Sequence, residues 1–399
     1  MGLLECSDVY WEFAGQCTQC GSCTEACTSL EAADMTLGEI ATALLRAERD
    51  ANSKEELYAR IAENPQLIQA VRSCFFCTTC KNTCFAHNDV CKLIYHARVD
   101  FQRLGLIPRD AWSSVQVDQE WDIFSAYRAI YGMDLTDLTR HVTTEEHGAE
   151  TDCELAFFPG CSMAAYAPDL TREICAAVEE LGGKTTLIDH CCGSPLKSAG
   201  FYDRAEALCD RIANELKSSG AKRLICVCPC CANEMVPTIA RHGLNIETVR
   251  LAAFLTEHGF IPKRDLPQTP LCLSKSCQDR DGSYLEETCA VLGIDPQTPT
   301  VFKGCCGAGG AVGAYDPDRQ AQQATNKLSL AQSGSTVISM CPTCTYTYAY
   351  NLMGNPLDVE NKHYTELLFN NQFDWEVVFD QLGGMWSGEY GAWLADVFA

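Results

Sequence analysis

The feature that most constrains this chain is a cysteine pattern that it contains twice. The first copy reads C-x29-CCG-x34-CPxC and the second reads C-x27-CCG-x33-CPxC. Matching cysteines of the two copies lie 113 to 116 residues apart. The copies begin at Cys161 and Cys277, and each contributes five thiols. A pattern that recurs in register indicates a tandem duplication, so we expect two similar domains.

Length and charge limit the class of protein. The chain has 399 residues and a formal net charge of −23. This length allows two or three domains with cores of their own. Binding to nucleic acid is not expected, because phosphates require a basic protein surface. Direct insertion into a membrane is not expected either, since no window offers 18 or more predominantly apolar residues.

The cysteine content indicates metal chemistry. There are 27 cysteines, and the first residues lack the basic start and apolar run of an export signal. The spacings are those of metal ligands and not of a disulfide framework. We therefore expect a protein of a reducing, anaerobic cytoplasm, with any membrane association made through a partner subunit.

Two further cysteine runs stand near the beginning of the chain. Each reads C-x2-C-x2-C-x3-C, the pattern of bacterial two-cluster ferredoxins, in which the fourth cysteine serves the other cluster. The pattern predicts one 4Fe–4S cubane held by Cys17, Cys20, Cys23 and Cys84, and a second held by Cys74, Cys77, Cys80 and Cys27. A pair of zinc sites is the other interpretation. It is less favoured, because zinc sites draw on two separated CxxC pairs.

Short-range patterns predict helices around these runs. Thr36 with Glu39, and Ser53 with Glu56, have the spacing of capping boxes. Asn64 before Pro65, and Asn88, are predicted to cap two further helices.

After residue 153 short apolar strands alternate with helical segments. The motif cysteines follow these strands, at the edge of a parallel sheet where ligands gather. The glycine-rich stretch after Cys306 does not match a dinucleotide loop, so no flavin or nicotinamide site is expected.

These patterns together predict an α+β protein. It would have a mostly helical, ferredoxin-like amino-terminal module followed by two α/β repeats with parallel sheets. The predicted boundaries are 1–140 for the module, 141–152 for a linker, 153–262 and 263–375 for the repeats, and 376–399 for a tail.

The duplicated CCG motif resembles the B subunit of heterodisulfide reductase, and its fusion to a two-cubane module resembles the D subunit. The amino-terminal part is similar to the separate C subunit. The resemblance implies that each copy holds a noncubane 4Fe–4S cluster through five cysteines, with Gly193 and Gly307 close to the clusters. The implied ligands are Cys161, Cys191, Cys192, Cys228 and Cys231 for the first cluster, and Cys277, Cys305, Cys306, Cys341 and Cys344 for the second.

The resemblance also implies a function. These ten cysteines would form the catalytic site of an oxidoreductase that reduces a disulfide to two thiols. Single electrons would arrive through the two cubanes from a partner, either an electron-bifurcating flavoprotein or a membrane cytochrome b-like subunit. A different function stays open. The same motif occurs in electron-transfer subunits of flavin dehydrogenases, such as anaerobic glycerol-3-phosphate dehydrogenase and glycolate oxidase, which pass electrons to quinone or another carrier.

Residues outside the motifs carry weaker expectations. Cys175, Cys209 and Cys289 are expected to be buried helix residues, and Cys230 is expected not to be a ligand. Near the motifs, His190, Lys197, Lys303 and Asp279 are candidate proton donors or anion contacts, although ordinary supporting roles are favoured. The aromatic tail is interpreted equally as core packing or as a docking segment.

Overall fold

The computed structural model describes residues 2–107, 116–133, 135, 153–314 and 316–398. The predicted linker at 141–152 lies outside the described residues. The chain divides into two compact units. Unit 1 comprises Met1–Val115, Pro195–Asp203 and Gly307–Gln320, and unit 2 comprises Gln116–Ser194, Arg204–Cys306 and Ala321–Ala399.

The amino-terminal part of unit 1 is helical, as the sequence predicts. Its helices are α1 (Ser7–Gln16), α2 (Ser22–Glu25), α3 (Thr28–Ala33), α4 (Leu37–Arg49), α5 (Lys54–Ala62), α6 (Pro65–Arg72), α7 (Thr79–Thr83) and α8 (Val90–Leu104). Their apolar faces form one core, in which Phe13 of α1, Leu44 of α4 and Phe101 of α8 are almost completely buried. Burial of these large side chains supplies the main driving force for this packing.

The helix caps test the local predictions. The capping box of Thr36 and Glu39 is confirmed, and the Asn64 side chain accepts a hydrogen bond from the Leu67 N–H at 3.0 Å, as predicted. The predicted cap at Asn88 is wrong. Asp89 caps α8 by accepting from the Lys92 N–H.

The second predicted box is confirmed only in its first half. The Ser53 side chain accepts from the Glu56 N–H, but the Glu56 carboxylate bonds the N–H of Asn52 in place of the cap residue. Here the adjacent asparagine supplies an additional amide donor to the same carboxylate oxygen.

The described residues of unit 2 form two four-stranded sheets, and every strand pairing in them is parallel. The first sheet has the order β2-β1-β3-β4 and the second has the order β6-β5-β7-β8. The strands are β1 (Leu155–Phe158), β2 (Thr185–Leu187), β3 (Arg223–Cys226), β4 (Glu247–Arg250), β5 (Leu271–Ser274), β6 (Thr300–Phe302), β7 (Ser335–Ser339) and β8 (Val359–His363). The identical order in the two sheets confirms the predicted pair of α/β repeats.

Further helices precede, connect and follow these strands. They are α9 (Ile123–Tyr131), α10 (Cys161–Tyr166), α11 (Pro168–Gly182), α12 (Ser194–Ala199), α13 (Tyr202–Ser219), α14 (Pro229–Arg241), α15 (Leu251–Glu257), α16 (Ser283–Leu292), α17 (Pro317–Leu328), α18 (Pro342–Gly354), α19 (Trp375–Ser387) and α20 (Gly391–Phe398). Most of α12 belongs to unit 1, as does the 3-10 helix Gly309–Ala314. None of the helices in the described part of the chain has the length and apolar character needed to cross a bilayer.

The strands β4 and β8 at the sheet edges are absent from the sequence-based prediction. Their sequences, ETVR and VENKH, are polar, unlike the apolar strands β1 and β3 beside the centre of the first sheet. An edge strand has a neighbour on one side only and tolerates such residues. Pairing with β3 and β7 in the folded chain therefore determines these two strands. Their sequences contain no apolar run from which a strand could be predicted.

Glu366, in the short 3-10 helix that follows β8, predicts a pH-dependent stability. Burial raises the pKa of Glu366 to about 7, against the opposing effects of Lys362 and of the His363 and Phe373 N–H groups. A carboxyl group with a raised folded pKa stabilises the fold below its unfolded pKa, and this contribution is lost as pH rises through 7. Glu366→Gln should therefore gain stability relative to the natural chain between pH 5 and pH 8. Anaerobic thermal unfolding at both pH values measures this, and an equal difference at both would contradict it.

The carboxyl-terminal helices confirm core packing for part of the tail, and docking stays a prediction. Val378, Met385 and Leu394 are buried, whereas Trp386 and Tyr390 are exposed by 47% and 42%. Part of the tail is thus core, and part presents aromatic surface.

Candidate metal centres

The first cysteine run of unit 1 borders a cavity. Cys17, Cys20 and Cys23 line it together with Cys84, the last cysteine of the second run. Cys20 is exposed, while Cys23 is buried at the start of α2. The four thiols predicted to hold one cubane therefore surround one space, and the ligand assignment itself stays a prediction.

Gly38 permits the close approach of α4 to this cavity. A Cβ atom built on Gly38 would lie 2.9 Å from the Cys17 Cβ and 3.0 Å from its Sγ. Because no side chain fits there, Gly38→Val should displace Cys17 and lose the first cubane. Iron content should fall by about a quarter of a four-cluster total. Gly15→Ala is the control, since a Cβ atom on Gly15 would meet no other atom within 4 Å; equal iron in both variants would contradict the prediction.

Cys27, from the first run, lies beside the second run. Burial raises the pKa of Cys27 to about 11, and the nearby Cys74 adds to the rise. Cys77 acts on it more weakly. These proximities accord with a cubane held by Cys27 and the first three cysteines of the second run. This ligand assignment also stays a prediction.

Cys91 is a residue that sequence reasoning missed. It shares hydrogen bonds with Cys74 and with Cys80. The hydrogen bond with Cys91 and burial raise the pKa of Cys74, and the positive charge of Arg98 opposes them. Cys91 lies in the first turn of α8, and this position brings it next to the second cysteine run. The contact depends on the fold of the chain and not on a sequence motif.

In unit 2 the motif cysteines follow the strands. In the first repeat Cys161 begins α10 after β1, the pair Cys191–Cys192 follows β2, and Cys228 caps α14 after β3. The second repeat places its motif in the same way after β5, β6 and β7. Parallel strands bring their carboxyl ends to one edge of the sheet, so the cysteines of each copy gather there.

The thiols of each copy come into contact at this edge. In the second copy the Sγ atoms of Cys306 and Cys344 are 2.9 Å apart. Across the copies, the Sγ atoms of Cys228 and Cys341 are 3.8 Å apart. The two CPxC motifs therefore meet within unit 2.

Hydrogen bonding favours the thiolate at Cys228 and Cys192, whereas it raises the pKa of Cys191, Cys231, Cys341 and Cys344. Hydrogen bonds from Cys231 and Cys341 hold the pKa of Cys228 at about 5. Hydrogen bonds from Cys191, Cys230 and Cys231 hold the pKa of Cys192 well below its usual range. The thiolate is the form that binds metal, so this donor set fits an iron–sulfur cluster. Among the described residues, no group of three or more His, Cys, Asp or Glu side chains has the arrangement for a single metal ion.

Cys230 distinguishes the two copies. Its Sγ lies 3.1 Å from the Ser194 Oγ, and it shares a hydrogen bond with Cys192. Thr343 occupies the corresponding place in the second CPxC. The first copy therefore has a sixth sulfur next to a predicted ligand. That Cys230 does not bind iron stays a prediction.

In each copy, a side chain of a later helix bonds the residue that directly precedes the cysteine pair. In the first copy the His190 Nε2 lies 2.6 Å from the Glu215 carboxylate of α13. In the second, the buried Lys327 of α17 donates to the Gly304 carbonyl at 2.7 Å and to the Lys275 carbonyl at 2.9 Å. Lys327 is therefore a supporting residue that sequence reasoning missed, because it belongs to no motif.

The other candidate residues near the motifs have different surroundings. Asp279 is buried and accepts hydrogen bonds from the N–H groups at the start of α16. Lys197 lies over the Tyr202 ring, and Lys303 is exposed. Gly193 and Gly307 adopt φ values of +78° and +90°, which lets the chain turn directly after each pair.

Buried positions are also confirmed for the three helix cysteines. Cys175, Cys209 and Cys289 have at most 5% of their surface exposed.

One protein-family description matches both repeats of the chain. The cysteine-rich CCG domain matches residues 155–235 and 270–348. Each match begins at the first strand of a sheet and extends past the CPxC motif. Each of the two repeats is therefore similar to the cysteine-rich CCG domain.

The similarity to particular proteins extends further along the chain. The D subunit of dihydromethanophenazine:CoB–CoM heterodisulfide reductase from Methanosarcina mazei is 22% identical over 82% of this chain and 86% of its own length. The D subunit from Methanosarcina acetivorans is 23% identical with the same coverage. The B subunit of fumarate reductase (CoM/CoB) from Methanothermobacter marburgensis is 25% identical over 50% of this chain and 42% of its own length. The resemblance to the D subunit of heterodisulfide reductase that the motifs predict is confirmed.

Proposed function

We propose that this chain is the catalytic iron–sulfur subunit of a disulfide reductase. The reaction takes R–S–S–R′, two electrons and two protons to R–SH and R′–SH. Two cubanes in unit 1 would supply single electrons, and two noncubane clusters in unit 2 would deliver them to the disulfide. The similarity to the D subunit of heterodisulfide reductase over most of both chains supports this assignment.

One observation carries the proposal. The Cys228 and Cys341 thiols, one from each repeat, lie 3.8 Å apart. A disulfide has two sulfurs, and its reduction needs two electrons. Because the motif is duplicated, the site would offer one set of five cysteines to each sulfur of the disulfide. Hydrogen bonds from Cys231 and Cys341 lower the pKa of Cys228 and favour its thiolate, the form that binds iron.

The remaining ligands follow the predicted assignment. Cys161, Cys191, Cys192 and Cys231 would complete the first noncubane site with Cys228. The second would use Cys277, Cys305, Cys306, Cys341 and Cys344. The single electrons would come from a flavoprotein or a cytochrome b-like subunit, and the exposed position of Cys20 beside the first cavity suits transfer from a partner.

Iron and acid-labile sulfide analysis of anaerobically purified chain tests the proposal. We expect about sixteen irons per chain, the sum of four 4Fe–4S clusters. Addition of a thiol to the oxidised protein should produce a new paramagnetic species by EPR, because substrate sulfur reaches a cluster. About eight irons, or a full complement that is silent toward every thiol, would overturn the proposal.

The similarity to the B subunit of a fumarate reductase favours one second candidate. In that function the chain would relay electrons between a flavin dehydrogenase and quinone or another carrier. A co-purifying flavoprotein that oxidises its own substrate, together with clusters that do not respond to thiols, would support the relay.

A further inference from the structure

Arg98 of α8 is completely buried. Among the described residues, it has the largest of the fully buried side chains. Removing a guanidinium group from water carries a large free-energy cost unless hydrogen bonds compensate for it. A cation retained in such a place, inside a unit with predicted iron–sulfur ligands, requires a physical explanation.

Carbonyl oxygens compensate the charge of Arg98. Its Nε donates to Val71 at 2.9 Å, its Nη2 to Arg72 at 2.6 Å and Cys74 at 3.0 Å, and its Nη1 to Ser198 at 2.6 Å and Gly310 at 2.7 Å. A guanidinium group has five N–H bonds in a rigid planar fork. Each of them therefore has a carbonyl acceptor. The planar face of the group lies 4.8 Å from the centre of the Phe76 ring.

These acceptors come from three separate segments of unit 1. Val71, Arg72 and Cys74 lead into the second cysteine run. Ser198 belongs to the segment that follows the first CCG motif in the chain, and Gly310 to the segment that follows the second. One turn after Arg98, the Gln102 side chain donates to the Ala199 carbonyl at 3.0 Å. The two segments of unit 1 that follow the CCG motifs, Pro195–Asp203 and Gly307–Gln320, are called the post-CCG segments below. The Arg98 side chain thus bonds both of them to the loop that contains Cys74, a predicted cubane ligand.

The contact at Gly309 and Gly310 is too close for any side chain. A Cβ on Gly310 would lie 1.9 Å from the Cys74 carbonyl oxygen, and one on Gly309 would lie 2.1 Å from that of Phe75. The backbone of the second post-CCG segment therefore rests directly on the backbone that bears Cys74. The Arg98 guanidinium, bonded to both Gly310 and Cys74, fixes this contact.

We propose that Arg98 is a positioning residue that favours the reduced state of the cubane held by Cys27, Cys74, Cys77 and Cys80. This inference rests on the cubane assignment within the proposed function. A cluster that accepts one electron becomes more negative, and a fixed positive charge beside it stabilises that state. No bond forms or breaks, and the electron comes from a one-electron donor, for which dithionite serves in the test. The five hydrogen bonds hold the charge and both post-CCG segments in place.

EPR-monitored redox titration of the full-length chain, reduced anaerobically with dithionite, tests the proposal. In Arg98→Met the midpoint potential of this cubane should fall. At the potential that half-reduces it in the natural chain, its ratio of reduced to oxidised form should drop about tenfold, the scale of one lost interaction with a buried charge. The other cubane should not change. Loss of one signal in Cys77→Ser assigns the two spectra.

Two matched variants separate charge from packing. Arg98→Lys keeps the charge and should recover most of the potential, but it cannot reach five acceptors. Hydrogen exchange in residues 195–203 and 307–320 should therefore remain faster than in the natural chain. Lys92→Gln removes a cation from an exposed place on the same helix, where Lys92 pairs with Glu12, and should change neither quantity.

Two results would overturn the proposal. One is an unchanged midpoint in Arg98→Met with its clusters intact. The other is a midpoint in Arg98→Lys that falls by the full amount expected for Arg98→Met, about a tenfold change in the ratio of reduced to oxidised form, and this result decides the matter if Arg98→Met does not retain its clusters. Disulfide turnover does not enter the test. A natural chain with two titrating cubanes and no turnover would refute the reductase function and leave the role of Arg98 standing.

Discussion

Cys306→Ser is expected to lose disulfide turnover by at least about 100-fold while it keeps both cubane signals. Cys306 is buried, and its Sγ lies 2.9 Å from that of Cys344, so the change removes a sulfur that contacts another motif cysteine of the second copy. A serine oxygen is a poor substitute, because iron–sulfur clusters are bound by thiolates. The predicted cubane ligands all lie between residues 17 and 84 and are not touched.

Turnover with a disulfide substrate and EPR of the reduced chain measure the two effects together. Cys191→Ser, Cys192→Ser and Cys305→Ser should behave in the same way, since each belongs to a predicted set of five. Cys289→Ala is the control, a buried helix cysteine outside the motifs. Unchanged turnover in the motif variants would refute disulfide reduction at this site.

Cys84→Ser is expected to remove the cubane of the first run, although Cys84 belongs to the second. Its place around the cavity of Cys17, Cys20 and Cys23 is the reason. Cys27→Ser should remove the other cubane, because Cys27 lies beside Cys74. Each single variant should lose about four of about sixteen irons.

Double variants make this prediction sharper. Cys84→Ser combined with Cys20→Ser should lose no more iron than either change alone, since both affect one cluster. Cys84→Ser combined with Cys77→Ser should lose about eight irons, because two clusters are affected. Phe85→Ser is the control, as Phe85 is 82% exposed and adjacent in sequence. The reverse pattern of losses would show that each run holds its own cluster.

Local patterns predicted much of the fold. The strands β1, β3, β5 and β7 are short apolar runs whose buried residues are visible in sequence. The spacing of Thr36 and Glu39 defines a cap through neighbouring backbone groups only. In contrast, β4 and β8 form by pairing with distant partners, and their polar sequences give no periodic signal.

The supporting residues of the candidate site were harder to foresee. The motif cysteines are recognised by spacing, but Arg98, Lys327 and Cys91 belong to no motif. The roles of Arg98 and Lys327 come from carbonyl oxygens that only the folded chain brings together. A single lysine or arginine in sequence is ordinarily a surface residue, so burial is the information that sequence lacks.

The composition of unit 1 from three stretches of chain limits how the protein can be dissected. A fragment that ends at Val115 would lack Pro195–Asp203 and Gly307–Gln320. In it, Arg98 would lose its Ser198 and Gly310 acceptors and retain a charge without two of its five hydrogen bonds. We therefore expect a fragment that contains only the amino-terminal cysteine runs to be less stable than the same residues in the full chain. If this chain were divided into two polypeptides after Val115, the second would have to supply these two loops to complete the first.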